Sequence, residues 1–141
     1  MKILIAVLLI VHGFIVTAQS SGSFNPVGGI QNPSWLNWWP ANLGQSWLLS
    51  SLGVERTLIA RAGGLLWLVA GMALFTAGLG VVGLLVPPTW WRVLALSGAA
   101  ISLVMLAVYL HPFYGIGIGA SIVLLAALLW VQWPLLERLG L

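Results

Sequence analysis

Cysteine and aspartate are both absent from this 141-residue chain, and the only carboxylates are Glu55 and Glu137. Without cysteine there are no disulfides, no thiolate metal ligands and no thiol nucleophile. Two lone carboxylates at distant positions do not make an acid/base pair. Charged residues of either sign reach only 5%, against about 25% in a soluble domain, so these side chains cannot build a water-facing surface. The formal charge of +3 comes from five scattered basic residues. They form no patch or stripe, which excludes nucleic-acid backbone recognition. No G-x-S-x-G elbow and no P-loop occurs. "GIGIG" at 115–119 sits inside an apolar run and follows no strand, so it is no phosphate cradle.

What the chain has in quantity is apolar sequence, 61% of all residues. A membrane-crossing helix needs about 20 mostly apolar residues, and four segments approach that length. They are "ILIAVLLIVHGFIVTA" (3–18), a glycine-rich run at 63–86 ended by Pro87-Pro88, "WWRVLALSGAAISLVMLAVYL" (90–110), and 113–133 stopped by Pro134. The prolines fall between runs, where they remove no mid-helix hydrogen bond. In hydrocarbon an open chain satisfies its backbone only as helix. The expected fold is therefore all-α: an integral membrane four-helix bundle in one domain, 1–141. A long Trp-rich extracytoplasmic loop, 19–62, separates helices 1 and 2, and a short tail, 134–141, closes the chain.

The first run also fits a signal peptide, with Lys2 ahead of it and Ala18 at a small-residue cut site. His12-Gly13 inside the run suits a packed helix better, so we read it as retained. With the N-terminus inside, Lys2, Arg92 and Arg138 are cytoplasmic and Arg56 and Arg61 external. That charge bias favours an N-in/C-in arrangement in a bacterial cytoplasmic membrane.

The stretch "QNPSWLNWWPANLGQSW" (31–47) carries Trp35, Trp38, Trp39 and Trp47 with no charge. If Ser34 caps a short helix, Trp35, Trp38 and Trp39 fall at i, i+3 and i+4, on one face. An indole is half apolar and its N–H needs a wet partner, so this surface belongs at the membrane boundary or against a partner. Residues 19–33, with Gly22, Gly28, Gly29, Pro26 and Pro33, are the expected irregular linker.

Gly64, Gly71 and Gly78 recur every seven residues in the second run. A heptad keeps one face toward a neighbour, and glycine lets two backbones approach. Gly115 and Gly119 form a small-xxx-small pair in the fourth run, and Gly98 and Ser102 sit in the third. These faces are the expected bundle interior, or a contact with another subunit.

Ionisable groups are scarce inside the runs. His12 is the one clear case, and a buried imidazole either satisfies itself on the backbone or meets a ligand oxygen or a proton path. His111, with Tyr109 and Tyr114 around it, falls at the outer end of helix 3, on the same side as Arg61. The different depths of His12 and His111 argue against a bis-histidine haem, and zinc would need more ligands than the chain supplies. No catalytic or metal-ligating residue is assigned, and no intrinsic cofactor is expected. His12, Arg61, Tyr109, His111 and Tyr114 are the candidate contacts for a bound quinone, lipid or pigment, or for a partner.

One helix, a long outer loop and three tightly connected helices together resemble the DoxX-like family of small four-helix membrane proteins. The most specific stretch is "RAGGLLWLVAGMALFTAGLG" (61–80), with Gly13 a looser match. Helix 1 departs by lacking a basic residue soon after that glycine. The resemblance implies a small membrane subunit linked to quinone-dependent respiratory oxidoreductases. The reading that follows is a non-catalytic integral subunit of a larger bacterial membrane complex, electron-transferring or otherwise energy-converting. Its surroundings would be membrane lipid and other subunits or copies of itself. Two alternatives are a stand-alone component or carrier for a hydrophobic small molecule, and a transporter.

Overall fold

The computed structural model describes residues 2–24, 43 and 46–130. Every regular element among them is helical: α1 (Lys2–Phe24), α2 (Trp47–Ser51), α3 (Arg56–Val81), α4 (Trp91–Tyr109) and α5 (Gly115–Leu129). Two single-turn 3-10 segments, Pro88–Trp90 and Pro112–Tyr114, lead into α4 and α5. Among the described residues, three segments are long and apolar enough to cross a membrane: Lys2–Phe24, Arg56–Val81 and Pro88–Tyr109. Gly115–Leu129 is apolar but shorter, at 15 residues.

The boundaries move where polar side chains find partners. Residues 19–24, expected as linker, continue α1. The Gln19 amide donates to the Ile15 carbonyl at 3.4 Å, and the Ser21 hydroxyl to that of Ala18 at 2.9 Å. Ser23, fully buried, donates to the Ala60 carbonyl on α3 at 2.9 Å. Side chains that would stop a helix in water here satisfy themselves on it or on its neighbour. The second run also shifts, from 63–86 to Arg56–Val81. Gly83 (φ +78°) and Leu85 (φ +65°) take left-handed backbone just beyond it and turn the chain before Pro87.

α3 is the central helix. It packs along α1 on one side and α4 on the other, and α5 lies against α4. Its glycines make the α1 contact possible. A Cβ on Gly78 would stand 2.8 Å from the Ala6 carbonyl, and one on Gly64 2.6 Å from the Phe24 ring. Gly98 on α4 plays the same part against α3, where a Cβ would meet the Ala70 carbonyl at 2.9 Å. Without a hydrophobic driving force between helices in lipid, this close van der Waals contact holds them together. Gly115 and Gly119 differ from the expected interior packing, because no described residue lies within 4 Å of where their Cβ atoms would be. Gly117, between them, is the residue that meets a neighbour, at Leu106.

The short α2 is fastened to the end of α4. The Ser46 hydroxyl caps α2 by accepting from the Leu49 N–H and donates to the Val108 carbonyl at 2.5 Å. The Trp47 indole donates to the Ala107 carbonyl at 2.9 Å, with its ring still 58% exposed. Trp47 thus keeps the half-wet position that suits an indole. Trp35, Trp38 and Trp39 lie outside the described residues.

Candidate functional site

α1 and α5 both lean on the α3–α4 pair but diverge from each other, leaving a crevice between them. Its outer part is a groove of about 450 Å³ walled by α1 (Leu4, Leu8, Val11, Ile15) and α5 (Val123, Leu124, Ala127). Further in lies a second cavity of about 240 Å³, against Trp67, Phe113 and Tyr114. His12, Ile15 and Ala120 border both. The two spaces therefore adjoin at these three residues, of which His12 alone carries a polar side chain.

Among the described residues, the polar groups around the inner cavity are few and uncharged. His12 Nε2 and the Ser121 hydroxyl stand 3.4 Å apart, a long contact whose donor depends on the imidazole tautomer. It joins the middle of α1 to α5. The Tyr114 hydroxyl donates to Gln19 Oε1 at 3.2 Å, about two turns further along α1. Behind them Trp67 is fully buried, its ring 5.8 Å from that of Tyr109 and 5.9 Å from that of Tyr114. Tyr109 donates to the Ile59 carbonyl at 3.1 Å. It fits because Gly63 has no side chain: a Cβ there would lie 2.0 Å from the phenol oxygen.

The candidate contacts thus divide. His12 and Tyr114 border the cavity, and Tyr109 stands one ring behind, against Trp67. His111 borders neither space. Its Nδ1 accepts the Phe113 N–H at 3.2 Å, and its ring meets Tyr114 edge-on, so it shapes the turn into α5. Arg61 is exposed on α3 and lines neither cavity. His12 is also deeper than a helix ending at residue 18 implies. α1 continues to Phe24, which leaves His12 about 18 Å from that end at 1.5 Å per residue.

Gln19, Trp67 and Ser121 are not among the contacts that the sequence singles out. Gln19 falls in the expected linker, Trp67 reads as core and Ser121 as one small residue among many. Only their meeting across helices gives them a role. The Trp67 and Trp91 indole nitrogens and the Ser102 hydroxyl are buried without a hydrogen-bond partner among the described residues. No three of His, Asp and Glu among those residues converge as metal ligands.

Comparison with protein-family models, with curated proteins and with solved structures finds no match for this chain. The DoxX-like resemblance rests on residues 61–80, Gly13 and the expected order of helices.

Proposed function

We propose that this chain is a small, non-catalytic protein of the bacterial cytoplasmic membrane that holds a hydrophobic small molecule between α1 and α5. The helices lie N-in/C-in, and α5 supplies the fourth crossing. The crevice carries the reading: an apolar groove, open sideways along two helices, leading to a cavity with a few uncharged polar groups. Ligand sites are concave, mostly apolar and about 300–1,000 Å³ in size. A sideways opening lets a molecule dissolved in lipid enter without crossing water. Exposed large apolar side chains that line neither space, such as Phe14, Leu65 and Val104, suit acyl chains as their solvent.

The test is purification of the full chain in mild detergent, followed by mass spectrometry of the extracted small molecules. The wild type should carry a hydrophobic compound in near-stoichiometric amount. Ala120→Phe, which fills the wall common to both spaces, should lose it. Equal retention by the variant would overturn the reading.

The accessory-subunit reading is favoured by a different surface. Gly115 and Gly119 leave open space on α5 beside Ile116, which is 84% exposed, a geometry that admits another helix. A place beside a respiratory oxidoreductase is what the DoxX-like resemblance adds. Stoichiometric partners in a native-membrane purification, lost in Gly119→Leu, would establish it. A partner-free, monodisperse protein would end it.

A further inference from the structure

From the meeting of the two spaces at His12, we infer that the imidazole receives the head of an uncharged, single-chain amphiphile, whose oxygen replaces Ser121 as its hydrogen-bond partner. The inference rests on the crevice reading above and names its ligand class. The outer groove is long and lined by aliphatic side chains, which suits a hydrocarbon tail. The inner cavity is smaller and bordered by the rings of Trp67, Phe113 and Tyr114, which suits a compact head. His12 stands at the junction, where tail gives way to head.

Charge decides the class. Among the described residues, no Lys, Arg, Asp or Glu borders either space. A phosphate or carboxylate head would enter an apolar enclosure with no counter-charge, at a desolvation cost that nothing there offsets. An uncharged head bearing hydroxyl or carbonyl oxygen meets no such penalty. A neutral imidazole offers one donor and one acceptor nitrogen, so both oxygen types are served. The 3.4 Å separation from Ser121 is at the long limit of a hydrogen bond, and a ligand oxygen at an ordinary distance of about 2.8–3.0 Å makes the shorter bond. The Trp67 N–H is closed off by its neighbours, which leaves His12, bordering both spaces, as the group that the head meets first. The Gln19–Tyr114 pair already satisfies itself.

The chain contains two histidines, His12 and His111, so their imidazoles can be followed separately by nitrogen NMR of the full protein in lipid nanodiscs. The probes are 1-dodecanol, decyl-benzoquinone, hexadecane and lysophosphatidylglycerol. Either or both oxygen probes should shift the His12 ring nitrogens and leave those of His111 in place, and which of them does so identifies the head as hydroxyl or carbonyl. Hexadecane should bind without moving His12, and the anionic lysolipid should compete poorly. His12→Leu should weaken the oxygen probes by about three- to tenfold, the value of one hydrogen bond, while hexadecane is unaffected. Ser121→Ala should bind the oxygen probes at least as well as wild type. If the oxygen probes bind but His12 does not respond, or if the anionic lysolipid binds as well as they do, this inference is overturned and the crevice reading survives. If no probe binds, the crevice reading falls with it. The wild-type NMR arm keeps the test decisive even if His12→Leu fails to fold.

Discussion

Gly13 on α1 and Gly71 on α3 face each other where the two helices cross: a Cβ on either would stand 2.7 Å from the other's carbonyl oxygen. The contact is reciprocal, so neither residue can grow without parting the helices.

Gly71→Ala should therefore destabilise the protein. Its Cβ would also meet the Thr17 backbone nitrogen at 2.5 Å, and backbone cannot rotate away as a side chain can. Overpacking of this kind costs about 1–3 kcal/mol, measurable as a lower midpoint in a reversible SDS or thermal unfolding series. Gly119→Ala is the control. Its Cβ meets no described residue, and alanine gains up to about 1 kcal/mol of helix propensity. A stabilised Gly71→Ala would show that α1 and α3 do not cross here.

Gly63 and Tyr109 should behave as a coupled pair. Gly63→Ala alone drives a methyl into the phenol oxygen, 2.0 Å away. Tyr109→Phe alone loses the hydrogen bond to the Ile59 carbonyl, at about 1 kcal/mol. In Gly63→Ala/Tyr109→Phe that oxygen is gone, so the double variant should be more stable than the sum of the singles. Couplings of this type run about 0.5–3 kcal/mol. Simple additivity in a double-mutant cycle would contradict the contact.

Ser46 should matter to the loop more than to the helices. Ser46→Ala removes both the α2 cap and the bond to the Val108 carbonyl, a loss of about 1–2 kcal/mol for the local structure. Hydrogen exchange should rise across 46–54 and at the end of α4, with α1 and the middle of α3 unchanged. Protection equal to wild type across 46–54 would mean that α2 is held by other contacts.

Much of the helix content was legible from composition. Long runs without charge, broken by Pro87, Pro88 and Pro112, leave helix as the way to satisfy the backbone in an apolar solvent. The helix ends were less legible. Gln19 and Ser23 look like linker in isolation, and only their partners at Ile15, Ala60 and Tyr114 make them part of α1.

What this sequence determined by itself is the supply of apolar helix and the spacing of Gly64, Gly71 and Gly78, because hydrophobicity and periodicity are properties of neighbouring residues along the chain. Tertiary structure alone decided that those glycines face α1, that Gly115 and Gly119 face none of the described helices, and that His12 meets Ser121 109 positions away. The reason is that α1 and α5 become neighbours only through the α3–α4 pair that carries them. No local pattern records the crevice that their divergence leaves open.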